Sequence, residues 1–397
     1  MTSVTLPADM PDVVVAGGGI IGAACAYELA RAGASVTLLE RAELAAGASG
    51  RNNGLWVTPV DPALLPMARV SLARYRELAE ESPVPFRLDE APIGLLAVAL
   101  DEDEMGLGDR VHAPYRAAGV NVERLEPSEV LGLEPALTTD VLGGWLVNHG
   151  HRLAPAALTV ALALMAVERG ATVRHHLPVR ALAEAGDRVV GVITDEGRIE
   201  ADEVVVAAGP WTPALLDPTG IQLPITGARG WLVWLDAAAG LRHLVASAGW
   251  EEATGRWEDG AVLAGRLAEA AATTSTLLHP TSGGSLIAGS SRQPAITPEA
   301  EGPGVPAAIV RGAIRLVPAL ADSEVRSAWW GIRPLTPDER PLVGRVADGL
   351  WVAAGHGSEG VILGAGTGRL IASQLLGQGP PFDPEPFDPG RFSTAAG

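Results

Sequence analysis

The sequence predicts an α/β chain: a Rossmann-like dinucleotide-binding unit interrupted by a second unit of mixed α and β character. Three observations predict it. Val13 to Glu40 reads as strand, glycine turn, helix, strand and acid. Apolar runs of strand length return at Ala171 to Ala208 and at Leu350 to Ala354. Between these blocks the texture changes. The first unit is therefore expected to be discontinuous, over 1–85, 147–224 and 325–380. The second unit takes 86–146 and 225–324, and 381–397 reads as a loose Pro-rich tail.

The first block carries the most specific local signal. Val13 to Ala16 is apolar enough for a buried parallel strand. Gly17-Gly18-Gly19-Ile20-Ile21-Gly22 follows and fits G-x-G-x-x-G. Gly17 allows the tight turn, Gly19 lets backbone approach a pyrophosphate, and Gly22 lets helix and strand pack closely. A helix from Ile20 to Ala32 ends at Gly33, and its N-terminal N–H groups suit an anion. The strand Ser35 to Leu39 then delivers Glu40 at the spacing of a ribose-binding acid. The pattern alone does not separate FAD from NAD.

Composition narrows the function classes. The chain has 397 residues and 47% apolar content, enough for more than one folding unit. A net charge of −18 argues against nucleic acid and anionic membranes as partners. All 29 basic side chains are arginine, so lysine Schiff bases and Walker lysines are excluded. Cys25 is the only cysteine, which excludes an intrachain disulfide and a cysteine metal cluster. The N-terminus shows no secretory pattern, and the Ala-rich run Leu153 to Val167 is too short to span a bilayer. A cytoplasmic location is expected.

Later elements follow in order. Ala45 to Leu55, with Ala48, Ser49, Gly50, Arg51, Asn53 and Gly54, is small, polar and able to lie flat against a ligand. Pro66 to Glu81 has helical spacing, Ile93 to Leu100 reads as a strand, and an acidic run from Asp101 opens a helix. Leu125 to Leu137 is a connecting motif and Val141 to Val147 a strand. Pro155 starts a helix that stops at Gly170. Strands then run from Ala171 to Arg174, Val179 to Ala183, Val189 to Thr194, Arg198 to Glu200 and Glu203 to Ala208, the last ending at Gly209-Pro210-Trp211. Trp231 to Leu235 and Leu286 to Gly289 read as strands, and Val305 to Val317 as a helix. Residues 236–275 give no clear pattern. Near the end, Trp329-Trp330-Gly331-Ile332-Arg333-Pro334 precedes Pro341-Leu342-Val343-Gly344, a strand from Leu350 to Ala354 and Gly355-His356-Gly357-Ser358-Glu359-Gly360-Val361 at the head of a helix.

Four motifs in this order, GGGIIG with Glu40, GASGRNNG, VVVAAGPW, and GIRPLTPD with GHGSEGV, resemble the flavoprotein amine oxidoreductases related to glycine oxidase, sarcosine oxidase and D-amino-acid oxidase. The resemblance spans Asp12 to about Leu376. It implies a glutathione-reductase-type FAD domain and a substrate domain built on a mostly antiparallel sheet. It implies non-covalent FAD, because Cys25 lies in the wrong place for the late cysteine of the covalent branch. Glu40 would hold the adenosine ribose with Arg41 beside it, and Val179 would meet adenine through its backbone. Ala48, Ser49, Gly50, Arg51, Asn53, Gly54 and Leu55 would line diphosphate and flavin, with Gly209 and Gly331 close by. His356, Gly357, Gly360 and Val361 would lie against the isoalloxazine, where a helix N-terminus favours charge on reduced flavin.

For substrate, the resemblance implies a bidentate pair between Arg333 and a carboxylate, a geometry that suits guanidinium. Trp330 and Trp231 are candidate pocket walls. The implied reaction is hydride transfer from Cα of an amino acid or secondary amine to flavin N5, giving an imine that water hydrolyses to a 2-oxo acid. The electron acceptor is O2 or another oxidant; the lysine some relatives use for oxygen is lacking. A 2-hydroxy-acid dehydrogenase and a flavin subunit of a hetero-oligomeric amine dehydrogenase are the rival readings, and an oligomer is compatible with all three. His149, His151, His175 and His176 are expected to be structural or solvent-facing, and no metal set is evident.

Overall fold

The structure is a computed structural model, and it describes residues 12–392 apart from 118, 238, 251–272, 282 and 295–303. Its first sheet is the one the glycine fingerprint requires. β1 (Asp12–Ala16) and β2 (Ser35–Leu39) pair in parallel around α1 (Ile20–Arg31). β8 (Thr172–Arg174), β12 (Glu203–Val206) and β19 (Leu350–Ala354) extend the parallel sheet, and β18 (Leu342–Ala347) closes one edge antiparallel to β19. The order is β18-β19-β12-β1-β2-β8. Both faces are covered, which is why these strands read as unbroken apolar runs rather than alternating ones. A three-stranded antiparallel meander, β9 (Val179–Ala185), β10 (Arg188–Thr194) and β11 (Gly197–Glu200), leads into β12.

Helices α1, α2 (Leu65–Glu81), α5 (Pro155–Val167) and α8 (Gly360–Leu375) pack on one side of this sheet. Small residues set their closeness. A Cβ added to Gly366 would lie 2.4 Å from the Met67 carbonyl oxygen, and one added to Gly368 would lie 2.4 Å from that of Ala24. Cys25 is buried in this seam, where burial raises its thiol pKa. It is therefore a packing residue rather than a reactive one.

The second sheet has eight strands in the order β17-β13-β16-β15-β14-β4-β6-β5. These are β4 (Leu95–Ala99), β5 (Val122–Leu125), β6 (Gly143–Val147), β13 (Thr226–Asp236), β14 (Leu244–Ser247), β15 (Thr273–Pro280), β16 (Leu286–Pro294) and β17 (Glu324–Leu335). Among the described residues of this sheet, only β4 and β14 pair in parallel. One face is covered by α7 (Gly304–Leu316), with α4 (Pro127–Leu133) nearby, over Leu96, Val98, Val233, Leu278 and Ala288. On the other face α3 (Glu102–Ala117) packs at the β4–β6 end through Tyr115. The two-stranded ribbon β3 (Leu55–Trp56) with β7 (His151–Arg152) joins the halves.

Two boundaries differ from the sequence reading. The strand bearing Arg333 belongs to the eight-stranded sheet, so the return to the first sheet comes after Leu335 rather than at 325. The tail is not loose over 381–392. Phe387 is fully buried, and Pro389 packs against Gly344. Arg391 pairs with Asp338 at 2.8 Å. The remaining tail residues lie outside the described set, as does most of the unread 236–275 stretch.

The turn after β17 is a junction of charges. Asp338 pairs with Arg391 of the tail, Glu339 with Arg292 of β16 at 2.7 Å, and Arg340 with Asp61 of the loop before α2 at 2.6 Å. Burial alone would raise the Asp338 carboxyl, but the Arg391 guanidinium outweighs it and holds it below the ordinary carboxylate value.

Candidate functional site

The cradle at the head of α1 is built by excluded volume. A Cβ on Gly17 would lie 2.4 Å from the Ala207 carbonyl oxygen, and Gly17 sits at φ +119. A Cβ on Gly22 would lie 1.8 Å from the carbonyl oxygen of Gly17 itself. α1 starts at Ile20 with Gly19 as a cap that offers no side chain. Ser49, from the loop after β2, accepts the Ile20 N–H at 2.9 Å. Glu40 accepts the N–H groups of Gly18 at 2.7 Å and Ala42 at 2.8 Å. An ionised carboxylate has about four acceptor positions. Two remain for the hydroxyls of a ribose. Arg41 stacks on Trp211 with its Cζ 3.6 Å from the ring, so the elements after β2 and after β12 meet beside Glu40. Uncapped helix terminus, glycine cradle and terminal acid together fit the nucleotide half of FAD.

The loop from Ala48 to Leu55 is folded by a residue the sequence reading passed over. Asn52 donates to the carbonyls of Ala48 and Ser49 and accepts the Gly54 N–H. Gly54 at φ +79 brings the chain against Leu153, and a Cβ there would lie 2.5 Å from the Leu153 oxygen. Asn52 followed by Gly54 is a turn signal that could have identified this fold. Arg51 is exposed; it donates to Ala46 and to the Trp330 carbonyl. Trp329 donates its indole N–H to the Arg51 carbonyl at 3.1 Å. Gly331 leaves room for this loop: a Cβ there would be 3.1 Å from Arg51 Cβ and 3.7 Å from Ala48 Cα.

The loop before α8 reaches the same strand from its other end. Gly357 donates its N–H to the Pro334 carbonyl at 2.7 Å. Gly355 and Gly357 both have positive φ, +77 and +55. α8 begins at Gly360 without a side-chain cap, and the Val361 carbonyl accepts the Tyr75 hydroxyl at 2.8 Å. His356 is buried, with Nε2 2.9 Å from the Thr367 hydroxyl and Nδ1 without a hydrogen-bond partner. Burial pushes its pKa down to about 3, so it is a neutral imidazole. Residues 331–334 of β17 thus lie between the two loops that the resemblance assigns to the cofactor.

Arg333 projects from the face of the sheet opposite α7. Its guanidinium lies across Gly230 of the neighbouring strand and donates to the Ser291 carbonyl at 3.0 Å. Trp231 and Trp330 do not share this pocket. They stand directly opposite each other in the β13–β17 register, one residue out of step with Gly230 and Gly331. Side chains alternate along a strand. Both therefore point away from Arg333: Trp231 packs with the α7 core, and Trp330 stacks on buried Arg229 at 4.6 Å. Val179 opens β9, and Gly209 sits at φ +56 three residues past the end of β12. No group of three or more metal-ligating side chains occurs among the described residues, and no helix there is long and apolar enough to cross a membrane.

His279 is a buried polar residue that sequence reasoning missed. It lies on β15 and hydrogen-bonds to the Asn53 backbone, with Nδ1 unpartnered. Burial lowers its pKa to about 4, as it does for His112, which stacks on Trp145. His149 and His151 are buried, while His175 and His176 lie at the surface beside Glu43.

These histidines predict acid lability. The unfolded chain protonates near pH 6.5, whereas folded His112 and His279 protonate near 4 and His356 near 3. As pH falls below 6.5 the unfolded state binds protons that the folded state does not, so stability is lost through that window and levels off below the folded values. At about 1.4 kcal/mol per unit, His112 and His279 each contribute on the order of 3 kcal/mol and His356 on the order of 5, sizeable beside the stability of a typical protein. Urea midpoints should fall steeply between pH 7 and pH 4.5, and His112→Phe should flatten the slope. A midpoint independent of pH over that range would refute it.

A family model described as "DAO: FAD dependent oxidoreductase" matches residues 12–374. A glycine oxidase of Pseudomonas aeruginosa is 32% identical over 96% of this chain and 99% of its own length. A D-amino acid dehydrogenase of Methylobacterium radiotolerans is 28% identical over 96% of this chain and all of its own length. The crystal structure of glycine oxidase from Geobacillus kaustophilus superposes with a TM-score of 0.82, at 26% identity, covering 96% of this chain and 99% of that one.

Proposed function

This chain belongs to the DAO family of FAD-dependent oxidoreductases, and on that premise we propose that it oxidises the Cα–N bond of an amino acid. The single observation that carries the reading is the position of Arg333. Its guanidinium faces away from α7 on a strand segment held between the Ala48–Arg51 loop and the His356–Gly357 loop. Two relatives that match along nearly the whole chain, a glycine oxidase and a D-amino acid dehydrogenase, act by name on amino acids.

FAD, when bound, supplies the two-electron acceptor that the side chains of this protein lack. Gly17, Gly19, Ile20, Ile21, Gly22, Glu40, Arg41 and Ser49 would hold its nucleotide half. Ala48, Gly50, Arg51, Asn53, Gly54, Leu55, Val179, Gly209, Gly331, His356, Gly357, Gly360 and Val361 are the further residues assigned to it. Arg333 receives the substrate carboxylate through paired N–H donors and so fixes which hydrogen of Cα is presented. Neutral His356 keeps a positive charge out of the buried loop at the α8 N-terminus. Removal of a hydride and the amine proton leaves an imine, and water hydrolyses it to a 2-oxo acid and ammonia or an amine. No side chain of this chain is required as a base.

The test is an anaerobic titration of the FAD-loaded protein with D-, L- and N-methyl amino acids, followed by the visible flavin bands. Bleaching by an amino acid, with a 2-oxo acid and ammonia or amine formed in equal amounts, is the expected result. Bleaching by 2-hydroxy acids alone would overturn it.

A further inference from the structure

We propose that Gly230 is a positioning residue for substrate binding: its missing side chain forms the slot in which the Arg333 guanidinium lies. The inference rests on the carboxylate-binding role of Arg333 given above and adds the device that orients it.

In the β13–β17 ladder Arg333 stands opposite Ala228 and Gly230 opposite Gly331. The arginine side chain therefore reaches diagonally along β13 by one same-face step. A Cβ built on Gly230 would lie 2.0 Å from one terminal nitrogen of Arg333 and 2.6 Å from its Cζ and the other nitrogen. The guanidinium is thus in contact with bare backbone. The same nitrogen donates to the Ser291 carbonyl at 3.0 Å from the strand beyond. A long, rotamer-rich side chain is confined by a flat floor below and an acceptor at one end.

The backbone at Gly230 does not itself demand glycine. It is absent from the positive-φ residues, and the three heavy atoms nearest to a Cβ built there all belong to Arg333. Glycine in a strand interior weakens the strand and marks close approach of another group. Here that group is the guanidinium. Gly331, its partner across the ladder, clears the Ala48–Arg51 loop. Alanine at 230 would push the guanidinium outward by roughly 1.5 Å to reach ordinary contact. Displacements of about 1 Å can change rates on the order of 100-fold.

The experiment is a double-mutant cycle on the FAD-loaded protein with Gly230→Ala, Arg333→Ala and both together. Two quantities are read: KM and kcat for the best amino-acid substrate, and the affinity of acetate, a bare carboxylate, from its perturbation of the flavin spectrum. Gly230→Ala should raise KM and weaken acetate at least about tenfold, with a smaller fall in kcat and full flavin content. In the Arg333→Ala background it should add less than about twofold, because it acts only through the guanidinium. An equal penalty in both backgrounds would overturn the proposal. If the single Gly230→Ala chain fails to fold while the double variant folds and binds FAD, the clash with Arg333 is demonstrated directly. Failure of both to fold would overturn it. Failure of the underlying assignment is distinct: Arg333→Ala itself would then leave KM and acetate binding unchanged.

Discussion

Arg333→Ala should retain FAD and lose its grip on substrate, with KM for the amino acid rising roughly 100-fold or more. Truncating one partner of a desolvated, hydrogen-bonded charge pair typically costs about 2–5 kcal/mol, and each 1.4 kcal/mol is about tenfold. Kcat at saturation should fall as well, because a carboxylate that is no longer clamped leaves Cα free to rotate. Arg333→Lys should recover part of the charge but little of the orientation, since an ammonium cannot donate in a planar fork. Amines without a carboxylate, if turned over at all, should be indifferent to either change. The measurement is steady-state kinetics beside a flavin absorbance ratio. A normal KM with normal flavin content would remove Arg333 from the substrate site.

The second large effect concerns the cofactor. Gly22→Ala places a methyl group 1.8 Å from the Gly17 carbonyl oxygen, which is backbone and cannot swing aside. Either α1 moves away from β1 or the Gly17–Gly19 turn opens. Both distort the one place where helix N–H groups, Ser49 and Glu40 converge. Overpacking of this kind typically costs about 1–3 kcal/mol in stability, yet the loss of cofactor affinity should be larger. The variant is expected to purify colourless and to stay so after incubation with FAD and gel filtration. A yellow Gly22→Ala protein with a full flavin ratio would mean that the turn is not the cofactor cradle.

The two predictions differ in how far their residues could be read in advance. Gly17 to Glu40 is a local unit whose strand, turn, helix and acid are consecutive, so spacing alone exposes its geometry. Arg333 was marked by its short motif, but its setting was not. Gly230 and Ser291 are far away in sequence, and no periodicity connects them. Trp231 and Trp330 show the same limit with the opposite outcome. Both are candidate pocket walls by sequence, whereas the two-residue alternation of β13 and β17 sends them to the face opposite Arg333. β14 is short, and β15 carries Thr and Ser among its apolar residues. Neither stands out until its partners are known. Phe387 and Arg391 read as part of a Pro-rich tail, because their burial and pairing depend on the core of the first sheet and on Asp338.

The order of strands bears on how the protein is made. The eight-stranded sheet receives β17 and the six-stranded sheet receives β19 and β18 from one continuous stretch, 324–354, and α8 follows at once. A nascent chain still lacking that stretch already contains the whole glycine fingerprint. It does not contain the arginine, the second loop against β17, or the strand that pairs with β12. Both sheets must then wait with open edges at β13 and β12 while synthesis continues. Such edges are templates for unwanted pairing. The ribosome therefore releases the two halves to completion almost together, and a chain interrupted late in translation should be a target for chaperones rather than a half-active enzyme.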